Sequence, residues 1–251
     1  MKLSTVSAVV ALGLFASASQ AADEEKTFTM DGELGFIFTS GNTETTSVNG
    51  ALNAKQELEK WSNEYVLTAL YKKDEIGGVE RTSADKKFAS AQGNYRLENP
   101  AYRLFVFGSY EDNRLSSYDF QATIAAGWNH KVWADDTSSF EYSIGPGYSL
   151  NDRIDVDDAG NRIIIEENSV VVRGALSYAY NISETAKFTQ SFSTEVGSDN
   201  TKSRAESAIS AKLAGALSLK VAIRFDHNSD VSEGTENLDT ETAVNLVYTF
   251  F

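Results

Sequence analysis

The chain stops on a strand. From Thr240 to Phe251, Val244, Leu246, Tyr248 and Phe250 fall on one face at a spacing of two, and the last two residues are aromatic. A closing strand that is apolar on one side only is what a membrane β-barrel needs. The last strand must pair with the first, because an open edge in lipid leaves backbone groups unsatisfied. These four residues are therefore the expected C-terminal barrel signal, with Phe250 rather than Phe251 as the terminal aromatic facing lipid.

The other end agrees. Lys2 begins a positive leader, Val6 to Ala16 is apolar, and Ser19-Gln20-Ala21 is a small-x-small cleavage site. The apolar stretch falls short of the ~20 residues a transmembrane helix requires. The expected organisation is a signal peptide over 1–21 and one barrel domain over 22–251. Removing Lys2 with the leader takes the formal charge from −14 to −15. So acidic a chain has no general basic surface for nucleic acid. With no Cys there is no disulfide framework, thiolate nucleophile or Cys-based metal site. A mean hydropathy of −0.31 would suit a soluble protein. In a barrel it decides nothing, because half of each strand faces a polar lumen.

Between the ends, strand-length segments alternate with turn chemistry and no helical period emerges. Leu217, Leu219, Val221, Ile223 and Phe225 alternate with Ser218, Lys220, Ala222, Arg224 and Asp226. Charges keep to one parity, as they must if a charge on the lipid side costs ~2–4 kcal/mol at the midplane. Twelve strands are predicted: 32–40, 43–58, 61–74, 81–97, 101–114, 117–133, 137–150, 163–182, 185–198, 200–213, 216–229 and 238–251. Irregular alternation in 43–58 and 81–97 leaves ten and fourteen strands open. The fold class is all-β, an antiparallel up-and-down transmembrane barrel, with a secreted acidic β-sandwich as the alternative. An even count puts both termini on the periplasmic side. Tight turns such as Glu59-Lys60 and Asp135-Asp136 then lie there, and the longest connections (74–80, 151–162 and 229–237) lie outside. Trp61, Trp128 and Trp133 each fall near a predicted periplasmic turn, as interface anchors do. Around Arg103–Ser109 both parities are apolar. Phe105 and Phe107 there either narrow the lumen or pack against a small neighbour.

Several phrases recur in a definite order: Gly32-Glu33-Leu34-Gly35, Thr39-Ser40-Gly41-Asn42-Thr43, Tyr110-Glu111-Asp112, Tyr118-Asp119-Phe120-Gln121-Ala122-Thr123, Gly145-Pro146-Gly147-Tyr148, Asn228-Ser229-Asp230-Val231 and Asp239-Thr240-Glu241-Thr242. Over 31–251 the chain resembles the YdiY-like family of salt-induced outer-membrane proteins, a domain of unknown function. The resemblance implies a barrel in the outer membrane and supplies no substrate and no catalytic residues.

Three chemistries remain. A structural barrel or narrow passive pore would be lined by Lys72, Glu141, Arg173, Lys187, Glu195, Lys220, Arg224 and Asp226, whose mixed signs argue against a selectivity ring. A lipid hydrolase would use His227 and Ser229, two apart on one strand face, but a nucleophile needs its base within ~2.6–3.2 Å. A Ca²⁺ loop would take Asp155, Asp157 and Glu166 at positions 1, 3 and 12, with Gly160 at 6. Ala159 at position 5 and Arg162 weaken that match, and an acidic solvated hairpin explains it. The expectation is a non-enzyme with no cofactor and no metal. Its partners are outer-membrane lipid and, during biogenesis, the barrel-assembly machinery.

Overall fold

Every strand finds a partner on both sides, so the sheet has no edge. The computed structural model describes residues 27–39, 43–76, 79–157, 161–232 and 234–251; the predicted signal peptide lies outside them. Twelve strands follow in order: β1 (Phe28–Thr39), β2 (Thr43–Glu57), β3 (Trp61–Ile76), β4 (Val79–Arg96), β5 (Tyr102–Asn113), β6 (Tyr118–Ala134), β7 (Ser138–Val156), β8 (Arg162–Asn181), β9 (Ala186–Gly197), β10 (Thr201–Ala214), β11 (Leu217–Asn228) and β12 (Leu238–Thr249). Each pairs antiparallel with its sequence neighbours, and β12 returns to β1 to close the barrel. The β-sandwich alternative is thereby excluded, since one sheet closes on itself.

The closing seam is short. Asp31–Gly35 face Thr249–Asn245 in register, and the Phe250 N–H adds one bond to the Met30 carbonyl at 2.8 Å. Val244, Leu246, Tyr248 and Phe250 all point outward and are about half exposed, while Asn245 between them is buried in the lumen. The same alternation runs round the barrel, with Leu34, Leu67, Val106, Ile124, Val170 and Val221 on the outer face.

Aromatic side chains band the turn end. Trp61 meets Tyr95 at 5.3 Å, Tyr102 lies 5.3 Å from Trp128, and Trp133 lies 5.0 Å from Phe140. His130 sits between Tyr102 and Tyr142 in the same band. At the other end Tyr110 stacks on Phe120 at 5.9 Å. Nine residues of β5, from Tyr102 to Tyr110, join the two bands, within the ~9–11 that a tilted strand needs to cross hydrocarbon.

Two predicted connections are corrected. The segments 74–80 and 151–162 are largely strand, since β3 and β4 pair out to Ile76 and Val79 and β7 and β8 out to Val156 and Arg162. What extends the second hairpin is charge pairing. Arg153 reaches Glu167 at 2.5 Å and Asp155 at 3.1 Å, which holds together a stretch whose polarity reads as loop. β1 also starts earlier than predicted, because Phe28 to Asp31 pair with β2.

Phe105 and Phe107 point inward and pack with Ala125. Their cross-strand partners are Gly127 and Ala125, so the small residues of β6 make the room. Gly127 has a second reason. A Cβ there would lie 2.3 Å from the Ile144 carbonyl oxygen, and one on Gly145 would lie 2.2 Å from that of Ala126. β6 and β7 approach too closely at this point for any side chain.

Candidate functional site in the barrel lumen

Inward parity gathers the charges of the chain into one space. Glu141, Arg173, Glu195, Lys220, Arg224 and Asp226 line a cavity of about 450 Å³ inside the barrel. Lys187 lies outside that cavity, at the turn-end mouth beside Lys212, Asp31 and Asp136. Lys72 has the inward parity of β3 but sits near the outer rim, 3.4 Å from Asp74.

Two groups of lumen charges lie beyond the Arg103–Glu141 and Lys55–Glu64 pairs nearer the turns. One clasps the seam. Glu33 on β1 is buried and accepts hydrogen bonds from Asn53 of β2 at 3.0 Å, Asn245 of β12 at 2.9 Å and Lys220 of β11 at 2.9 Å. Arg224 extends this group, donating to Glu206 at 2.6 Å and Glu241 at 2.9 Å.

The second group crosses the lumen. Glu111 of β5 is 5% exposed. It binds Lys202 of β10 at 3.2 Å, pairs with Arg204 of β10, and lies 3.7 Å from Lys86 of β4. Lys86 donates to Asp226 of β11 at 2.5 Å, Arg204 to the same carboxylate at 3.0 Å, and Lys202 to Gln121 of β6 at 2.5 Å. These pairs join opposite walls and form a charged plate near the outer end. Glu33, Lys86, Glu111, Lys202, Arg204 and Glu206 were absent from the sequence-based lumen set. Their signal was the same parity, clearest in Lys202, Arg204 and Glu206 alternating with Ser203, Ala205 and Ser207.

Above the plate the β11–β12 connection folds inward. The Tyr118 hydroxyl donates to the Asp230 carbonyl at 3.0 Å, the Ser232 N–H to Ser117 Oγ at 2.7 Å, and Ser232 Oγ to the Ile154 carbonyl at 2.6 Å. The far wall thus holds the loop across the mouth. Toward the turns exposure varies: the side chains of Lys55 and Glu64 are 45% and 41% exposed, while Ser62, Asn94, Arg103 and Asn129 are buried. Among the described residues, the lumen holds a cavity covered toward the outer end by the charged plate and the inward-folded connection.

The other two chemistries find less. Ser229 accepts a hydrogen bond from the Thr201 N–H at 2.7 Å and donates to Asn200 Oδ1 at 3.2 Å; no hydrogen bond joins it to His227. Asp155 pairs with Arg153, and Asp157 takes the Asn161 N–H at 2.8 Å. Glu166 stands exposed across from Asp152 on the neighbouring strand, and residues 158–160 of that loop lie outside the described set. Among the described residues no three acidic or His side chains converge on one point.

A closed sheet with an apolar outer belt, aromatic bands at both rims and a charged interior defines a β-barrel of the outer-membrane type. The chain belongs to the family described as "Protein of unknown function, DUF481", which it matches over residues 32–250. It is 27% identical over 261 aligned residues to the uncharacterized protein YdiY of Escherichia coli (strain K12), with 98% of each chain covered. Among solved structures it is similar to the NanC porin, with a TM-score of 0.51 and 10% identity over 88% of this chain and 100% of that one. An outer membrane channel from Pseudomonas putida F1 follows at a TM-score of 0.48 and 11% identity, covering 91% of this chain and 99% of that one. At 10% identity the likeness to the NanC porin speaks to the fold alone.

Proposed function

We propose that this protein is exported by a signal peptide cleaved after Ala21, inserted by the barrel-assembly machinery, and resident in the outer membrane as a narrow passive pore without catalytic activity. The observation that carries the reading is the lumen. Charged and polar side chains line much of it, beside Phe88 and Phe107, and it is wide enough for a cavity of about 450 Å³. Toward its outer end ion pairs cross it and the β11–β12 connection folds over them. Barrels of eight strands fill with side chains and those of sixteen hold open channels, so a twelve-stranded one with a crossing plate sits between. Mixed charges make weak selectivity the expectation. The family resemblance supports a tie to salt or envelope stress. In planar bilayers the purified protein should give brief, small conductance steps. A silent bilayer from protein that shows heat-modifiable migration on a gel would leave a purely structural barrel.

A further inference from the structure

Two of the outer hairpins stand as paired strands almost to their tips, with Ile76 opposite Val79 in one and Val156 opposite Arg162 in the other. The β11–β12 connection does not. Its ladder ends at His227 and Leu238, and the chain between them leans across the mouth. Topology sets the reach. In the closed ring of twelve, β11 and β12 stand five and six places from β6. A strap rooted on them and bonded to Ser117 and Tyr118 therefore spans the whole opening.

Root and tip are held differently. At the root the Asn228 N–H donates to the Asn237 carbonyl at 3.0 Å, Asn237 Nδ2 to the Asn228 carbonyl at 2.9 Å, and the Ser229 N–H to the Thr201 carbonyl at 3.0 Å. The tip is a turn, closed by the Thr235 N–H on the Ser232 carbonyl at 3.0 Å. Among the described residues, it reaches the far wall through three hydrogen bonds: Tyr118 to the Asp230 carbonyl, and Ser232 to both Ser117 and Ile154. Arg153, already bonded to Glu167 and Asp155, comes no nearer to Asp230 than 3.6 Å, beyond hydrogen-bond range. No described residue from Ser229 to Asn237 is buried. Polar contacts that water can replace hold the tip, with no packed apolar surface behind them, which is the makeup of a segment that opens locally. The plate beneath differs, since each of its side chains is rooted on a strand of the closed sheet. We infer that the β11–β12 connection is a hinged strap, swinging off β6 and β7 about its root at Asn228 and Asn237, and that its release is the opening step of the pore. The gating role rests on the pore reading above; the hinge does not.

The chain has no Cys, and the 2.7 Å bond from the Ser232 N–H to Ser117 Oγ brings the two Cα atoms within disulfide reach. Ser117→Cys with Ser232→Cys should therefore lock the strap to the far wall when oxidised. In planar bilayers the reduced pair should step as the unmodified protein does. Oxidation should cut the step frequency at least tenfold, and dithiothreitol should restore it. Ser117→Ala, which removes the acceptor of the Ser232 N–H and adds no bond, should raise the frequency several-fold, and it carries the test if the cysteine pair misfolds. Hydrogen exchange in detergent micelles reads the hinge without any current. The Ser232 amide should exchange at least tenfold faster than the ladder amides of β11 and β12, and oxidation of the cysteine pair should slow exchange at that position. Equal step frequencies in the oxidised and reduced pair, or an unchanged frequency in folded Ser117→Ala, overturn the gate. A Ser232 amide as slow as those of the ladder overturns the hinge. Silence in every form sinks the pore reading and the gate with it, and exchange then decides the hinge alone.

Discussion

Replacing Glu111 by Gln removes the carboxylate on which three cations converge. At 3.2 Å and an effective dielectric of about 20, one such pair interacts by roughly 5 kcal/mol before desolvation is counted. The net effect is smaller, because bringing these groups out of water opposes the attraction. Breaking a buried pair by removing one partner typically costs about 3–5 kcal/mol, since the remaining charge is stranded. The stranded group can be named. Lys86 keeps Asp226 at 2.5 Å and Arg204 keeps it at 3.0 Å, but Lys202 keeps only the neutral Gln121. For a domain of this size each kcal/mol moves the midpoint by about 2–4 °C, so the heat-modifiable transition on gels should fall by about 10 °C. Glu111→Gln combined with Lys202→Met should recover much of that loss, because it removes the charge that has no partner. If the plate is also the closure, bilayer conductance should rise in the single variant. A midpoint within 2 °C of the unmodified protein, or a double variant less stable than the single, would refute the reasoning.

Other consequences can be read the same way. Ile124 is 61% exposed on the outer face, between the Phe120 and Trp128 levels, so Ile124→Arg should destabilise the barrel by about 2–4 kcal/mol in lipid; refolding yields in vesicles measure this. Gly145→Ala puts a methyl 2.2 Å from the Ala126 carbonyl oxygen, and forced separation of β6 from β7 should cost about 1–3 kcal/mol or more, seen as a lowered unfolding midpoint in denaturant. Glu33→Ala leaves Lys220 and Asn245 without their shared acceptor, so hydrogen exchange should speed up first along β1 and β12. Outside the membrane, hydrogen bonds from Ser83 and Thr45 hold the Asp74 carboxyl below its usual range. Its contribution to the outer hairpin is therefore full above the ordinary carboxylate value of about 3.9 and fades as pH drops through the lowered one. Pepsin should nick the hairpin faster at the lower pH, and Asp74→Asn should erase that difference.

Alternation made the outside of this barrel legible. Lipid-facing side chains are mostly apolar and uncharged, so Val244, Leu246, Tyr248 and Phe250 declared their face before any partner was known, and the three Trp marked a rim. The extended hairpins were not legible, because Arg153, Asp155 and Glu167 look like loop residues until they are seen to pair across strands. The lumen was legible by parity but not by partner. Parity says that Lys86 and Asp226 face inward; it does not say that groups 140 residues apart hold each other at 2.5 Å.

What supplies the partner is the number of strands. In a closed ring of twelve, strands five or six places apart stand on opposite walls. That is the relation of β4 to β11, β5 to β10 and β6 to β11, the pairs joined by Lys86–Asp226, Glu111–Lys202 and Gln121–Asn228. Adding one hairpin would widen the ring, since barrel diameter grows roughly linearly with strand number. A lysine and an aspartate that now meet at hydrogen-bond distance would then be separated by water, and the plate would become two facing rows of charge. Twelve strands therefore fix more than architecture. They set a diameter at which inward side chains from opposite walls can touch, and with it whether this lumen is a channel or a vestibule.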